Sequence, residues 1–237
     1  MAPAVWTLPL ISAFVWLVTL TLMLAFWFNP DTPFYTLTER QTIPFVSDVG
    51  AHEMKPLFIL GSWTSVILLN IASYYKHRPL PTPSGFLSEK NKIVQNTSYM
   101  STALTASGSL GWICLTHFDR LNYPHLHRTF LTLYVGSFSV GALMECIRCF
   151  RFCMLSNWRH QLLTVTLIVR LCIGGVCASL GLGFWFAWTN TAITRDFCAV
   201  IEWTLGYTFA GHIACFASDL LPSIMGGDVG IRYTALV

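Results

Sequence analysis

The chain has 237 residues, of which 54% are hydrophobic and 11% charged, with a formal net charge of +3 and a mean hydropathy of +0.57. Soluble domains carry about 25% charged residues, and a globular core of this size cannot hide so much apolar surface, whereas a bilayer can. The composition excludes a soluble enzyme, gives no reason to expect a nucleic-acid partner, and predicts an all-α polytopic membrane protein.

Windows of about 19 residues predict six transmembrane spans, near residues 6–28, 56–74, 98–116, 129–149, 162–188 and 197–217. They are too long and too free of alternation for barrel strands, and helices satisfy every backbone group internally, as hydrocarbon demands. No basic residue precedes the first span and no small-residue cleavage site follows it, so it is expected to stay as a helix and not to be removed as a signal peptide. The whole chain then reads as a single domain, 1–237. Its first outer loop, 29–55, contains "TIPFVSDVGAHEMKP". An inner loop, 75–97, is rich in Pro and Ser, and a short Gly-rich tail covers 222–237.

Lys and Arg set the orientation. With both termini cytosolic, the inner side holds Lys76, Arg78, Lys90, Lys92, Arg148, Arg151, Arg159 and Arg232, against Arg40, Lys55, Arg120, Arg128 and Arg195 outside. The first seven of the inner group form a basic surface suited to anionic phospholipids or phosphoinositides, each worth about 1 kcal/mol near an anionic leaflet. Positive-inside topology alone accounts for them equally well.

Small residues recur at four-residue spacing: Ser107 and Gly111, Ser137 and Gly141, then Gly175, Ser179 and Gly183. Such ridges let helix backbones approach closely in lipid, here within the bundle. Charges inside a span need a partner or a task. By depth, Arg170 lies between Glu145 and Glu202 and nearer Glu145, so a structural Glu145–Arg170 pair is expected, with Glu202, Trp203 and His212 completing an intramembrane polar network. Such a polar spot also suits a lipid transporter.

The second outer loop, "THFDRLNYPHLHRTF", places His117, Asp119, His125 and His127 close together. With Asp48 and His52 from the first loop, a zinc site of a membrane lipid hydrolase or remodelling enzyme is an alternative, formed by Asp48, His52, His125 and His127. No histidine pair in that loop has i,i+4 spacing, and no Ser or Cys elbow or phosphate-cradling loop is present. No cofactor, no metal and no catalytic residue are therefore expected. In "CIRCFRFC", Cys146, Cys149 and Cys153 share a helix face beside arginines, which suits palmitoylation or plain burial.

Three stretches carry a family resemblance. "PFVSDVG" at 44–50, "HFDRLNYPHLHRTF" at 117–130 and "AVIEWTLGY…DLL" at 199–221 occur in order beside their helices. Together they resemble the signatures of the six-pass family of damage-regulated autophagy modulators, FRAG-type and fungal SFK-type proteins (DRAM/FRAG/SFK). The resemblance carries over Pro44, Ser47, Asp48, Gly50, Phe118, Asp119, His127, Glu202, Trp203 and Asp219. It implies a non-enzymatic membrane regulator that organises lipids or recruits a phosphatidylinositol 4-kinase complex at the inner leaflet, with a link to autophagy. It further implies residence in the plasma membrane, or alternatively in an endolysosomal or vacuolar membrane. The absence of a long tail leaves the inner loops as the contact surface. Asp48 is expected beside Arg120, His125 or His127, as part of a cap over the helix ends in which Ser47 and Asp48 bond backbone ahead of them and Gly50 permits a turn.

Overall fold

A computed structural model describes residues 4–29, 42–76, 89–120, 122–155, 161–189 and 195–224, and among them every regular element is helical. The long helices are α1 (Thr7–Trp27), α3 (Lys55–Lys76), α4 (Glu89–His117), α5 (Pro124–Leu155), α6 (Gln161–Thr189) and α7 (Arg195–Ala214). Two short ones accompany them, α2 (Val46–Val49) between α1 and α3, and α8 (Phe216–Ile224) after α7. Four segments, Thr7–Trp27, Lys55–Lys76, Pro124–Arg151 and Thr164–Phe184, are long and apolar enough to cross a membrane. The protein is therefore an integral membrane protein. Helices α4 and α7 fall outside that group because hydroxyls, glycines and charges dilute them.

Each long helix packs on the next, and α7 returns to α1, so the six close into a ring. Neighbours run in opposite directions. Ser12 of α1 donates to the Ser65 carbonyl of α3 at 2.8 Å, while Asn70 of α3 donates to Ser109 of α4 at 2.8 Å. Two of the small-residue ridges do the packing expected of them. A Cβ on Gly111 would lie 2.7 Å from the Tyr134 backbone nitrogen, and Ser137 donates to Ser107 at 3.4 Å. Along the third ridge, a Cβ on Gly175 would meet nothing within 4 Å, whereas one on Gly183 would touch Ile201 at 3.7 Å.

Aromatic rings fill the middle. Trp112, 1% exposed, meets Trp16 at 4.6 Å and Phe209 at 5.3 Å between centroids, and Phe138 meets Phe209 at 4.8 Å. The indole N–H of Trp16 donates to the Gly206 carbonyl at 3.0 Å, which satisfies the one polar atom this ring carries into the core. Outward faces are apolar, as at Phe14, Leu60, Leu143 and Leu182. That inversion is stable only against lipid. The ring thus has two polar ends, one capped by α2 and one carrying α8.

Candidate functional site

At the α2 end, the first loop turns into four helical residues whose third, Asp48, reaches back to accept the Phe45 N–H at 3.3 Å. An acidic side chain at a helix start satisfies an orphan donor and meets the positive end of the peptide dipoles. Asp48 is 1% exposed, its Oδ1 lies 3.7 Å from Arg120, and that oxygen accepts no hydrogen bond. Burial pushes the Asp48 carboxyl up, and the Arg120 charge only partly opposes this. The Arg120 guanidinium also lies over the Phe45 ring at 5.1 Å. Gly50 has an ordinary helical backbone, so the turn does not require a glycine. Close packing does, because a Cβ there would sit 2.6 Å from the Phe58 ring.

Three further ties fasten this loop to the ring. Ser47 donates from both its backbone N–H and its hydroxyl to Glu202, bonding across to α7 and not ahead along its own chain as expected. Asp48 likewise bonds backbone behind itself. The Trp203 indole N–H donates to the Pro44 carbonyl at 2.9 Å, and Asp196 accepts from the backbone of Thr42 at 2.7 Å and of Ile43 at 2.9 Å. The second loop is tied separately. Asp119 pairs with Lys55 at 2.8 Å and accepts the Asn122 N–H at 2.8 Å. Burial alone would raise the Asp119 carboxyl, but these hydrogen bonds outweigh it and hold the group at about 2. His127 donates from Nδ1 to the Phe118 carbonyl at 2.9 Å, and Phe118 stacks on Phe130 at 5.3 Å.

The opposite end is a box of five charged side chains from four helices. Glu145 and Arg148 come from α5, Lys76 from the last turn of α3, Arg170 from α6 and Asp219 from α8. Arg148 lies 2.7 Å from both carboxylates, and Arg170 lies 2.7 Å from Asp219 and 3.4 Å from Glu145. Lys76 bonds Glu145 and sits 3.5 Å from Asp219. Arg170 also donates to the Cys215 carbonyl at 2.8 Å, at the junction of α7 and α8, where the Ser218 hydroxyl donates to the same oxygen at 2.7 Å. The Phe216 ring flanks both Lys76, at 5.1 Å, and Arg170, at 5.7 Å.

A family model described as the Frag1/DRAM/Sfk1/Cwh43P N-terminal domain matches residues 4–223. The chain belongs to this family. No curated protein and no solved structure gives a match. The motifs that carry the membership therefore acquire positions. "PFVSDVG" and the Glu-Trp of α7 bind one another across the capped end, although they are more than 150 residues apart in sequence.

Several sequence expectations need correcting. Glu202 and Trp203 do not join the Glu145–Arg170 network, because they face loop 1 at the other end of the ring. His212 neighbours that network through Phe216, at 5.5 Å between ring centroids. Lys76 and Arg148 are not part of a basic surface. Their side chains are 3% and 12% exposed, drawn inward by two buried carboxylates. Arg151 is exposed. Arg78 and Arg159, and the side chains of Lys90 and Lys92, lie outside the described residues. Asp48, His52, His125 and His127 do not converge as metal ligands. His52 and His127 each donate a ring N–H to a carbonyl, His125 is exposed, and among the described residues no three His, Cys, Asp or Glu gather as a metal requires. Cys149 and Cys153 are buried against Leu167 with Cys146 beside them, which favours packing over acylation. The largest omission from the sequence reading is Asp219 as a box member. Its signal was an acid inside the apolar run "CFASDLLP".

Proposed function

We propose that the protein is a non-enzymatic membrane regulator that organises lipids or recruits a phosphatidylinositol 4-kinase assembly at its α8 end, taken as cytosolic from the distribution of Lys and Arg. The observation that supports this best is where the motif side chains go. Ser47, Asp119 and Trp203 bond other segments of the chain, Asp48 bonds Phe45 within its own loop and lies 3.7 Å from Arg120, and His127 bonds Phe118 at the start of the second loop, so these side chains hold the loops on the ring. Groups bound in this way position a surface. A general base or nucleophile instead needs a lone pair or thiolate turned toward a substrate. Near the α8 end, the exposed Arg151 suits an anionic leaflet.

The plasma membrane is the expected site, and a role in autophagy would follow from an endolysosomal one. Deleting the protein in its native cell, with a headgroup-selective probe for phosphatidylinositol 4-phosphate, tests the reading. The plasma-membrane signal should fall and return with the wild-type chain. An unchanged signal, with the tagged protein on that membrane, would overturn it.

A further inference from the structure

At the capped end Lys55 is committed to Asp119 and Arg120 lies against Asp48. Arg128 is different. It stands exposed in the second turn of α5 and has no acidic partner among the described residues. The first turn of α5 carries no acid either, so the positive end of its peptide dipoles adds to the Arg128 charge. From Arg128 an open groove of about 670 Å³ runs along the α4–α5 seam as far as Val140. Between those two residues the helix rises about 18 Å, at about 1.5 Å per residue. That is close to one leaflet of a hydrocarbon core about 30 Å thick.

Away from Arg128 the groove has little polarity to offer. The Thr129 and Thr132 hydroxyls donate to the His125 and Arg128 carbonyls at 3.0 and 2.9 Å, and Ser137 donates to Ser107. Leu104, Leu133 and Val140 make up the rest of the wall. Gly136 leaves the gap, since a Cβ there would meet nothing within 4 Å. An unfilled gap forfeits dispersion contacts, so its natural occupant has an anionic head and an apolar chain about one leaflet long. A soluble anion would leave the gap empty. A second copy of the chain would have to bring an acid to Arg128, yet Asp48, Glu53, Asp119, Asp196 and Glu202, the described acids of this end, are already engaged within the chain.

We propose that this groove holds an anionic phospholipid of the leaflet at the capped end, with its phosphate on Arg128 and one acyl chain along Gly136 to Val140. The planar guanidinium matches two phosphate oxygens, and the apolar wall below it matches the chain. The ammonium of a choline headgroup would face the Arg128 charge, so a zwitterionic lipid gains less. The site stands on the groove itself and does not depend on what the α8 end recruits. It is read on purified protein, so it can fail while kinase output in cells stands, or the reverse.

The test uses the full chain in detergent, offered phosphatidylglycerol or phosphatidylcholine. Lipid retention is read by native mass spectrometry and folding by the thermal midpoint. The wild type should retain phosphatidylglycerol about tenfold better than phosphatidylcholine, the ratio expected for one charge-assisted contact. Arg128→Gln changes an exposed residue, so it should keep the lipid-free midpoint and lose that preference. Gly136→Leu places a side chain in the gap. Because the space is open and leucine is the better helix former, this variant should fold at least as stably as the wild type yet retain phosphatidylglycerol about tenfold less. Gly175→Leu, at an exposed position of α6 where a Cβ also meets nothing within 4 Å, should leave retention unchanged. A preference that survives in Arg128→Gln would overturn the proposal, and that variant decides alone if Gly136→Leu does not fold. Equal retention by a folded Gly136→Leu and the wild type would overturn it too, as would a wild type that retains neither lipid. A dimer that Gly136→Leu dissolves would assign the groove to a second copy and overturn the lipid.

Discussion

The two ends of the ring are both polar, and they are built on opposite plans. At the capped end, many ties run from side chain to backbone, Asp48 to Phe45, Trp203 to Pro44, Asp196 to Thr42 and Ile43, and His127 to Phe118, beside side-chain pairs such as Lys55–Asp119 and Ser47–Glu202. At the α8 end, side chains bond side chains, charge to charge, from four helices. The first plan fixes the path of loops that no regular helix would order, through many modest bonds. The second concentrates its energy in five residues, where losing one partner strands the others. The capped end should therefore fail gradually and the box abruptly.

The largest effect is expected in the box. Asp219→Asn leaves three cations around one carboxylate and should cost about 3–5 kcal/mol, the range for breaking a buried ion pair. The loss is read as a fall in the thermal midpoint in detergent. Adding Lys76→Met to that variant removes one of the three cations and should recover part of it. If the double variant is less stable than Asp219→Asn, charge balance does not govern the box.

At the capped end the corresponding change is smaller. Trp203→Phe keeps most of the buried ring and removes the N–H that satisfies the Pro44 carbonyl. About 1–2 kcal/mol is expected for a buried acceptor left without its donor. Hydrogen exchange over residues 42–54 should accelerate while α3 and α5 stay protected. Exchange spread evenly over the whole chain would mean that the cap is not a separable unit. Lys55→Gln should cost less again, about 1 kcal/mol or below, because Lys55 is one-third exposed and exposed ion pairs contribute little.

The same contrast explains what the sequence disclosed. Helix positions follow from hydropathy, and the Glu145–Arg170 contact follows from counting depth at about 1.5 Å per residue, since both lie within unbroken helices. Asp219 escaped because the run 197–217 reads as one span. The break at Cys215 instead starts α8, which turns the carboxylate back under the ring. Lys76 and Arg148 escaped because a cation at a span end looks like surface until its partner is placed. Glu202 was assigned the right depth and the wrong neighbours, because hydropathy gives the depth of a helix residue without the direction it faces. The expected Asp48–Arg120 proximity is present at 3.7 Å because loop length confined the two to one end.

The smallest expected effect is that of pH on the cap, where the two loop carboxylates respond oppositely. Burial raises the Asp48 pKa, so the folded cap favours the protonated form more than the unfolded chain does. Its contribution is fully present below the ordinary value of 3.8 and is lost as pH rises through the raised value. Asp119, held at about 2 against Lys55 and Asn122, contributes fully above 3.8 and loses that contribution as pH falls toward about 2. Between pH 7 and pH 4 the Asp119 tie is therefore constant, and of these two groups only Asp48 changes, toward a firmer cap. Asp48→Asn keeps an oxygen for the Phe45 N–H and removes the titration. The wild-type midpoint minus the variant midpoint should rise as pH is lowered from 7 to 4. A difference that stays flat would mean that Arg120 at 3.7 Å already compensates the buried charge, and that the unbonded Oδ1 has no energetic consequence.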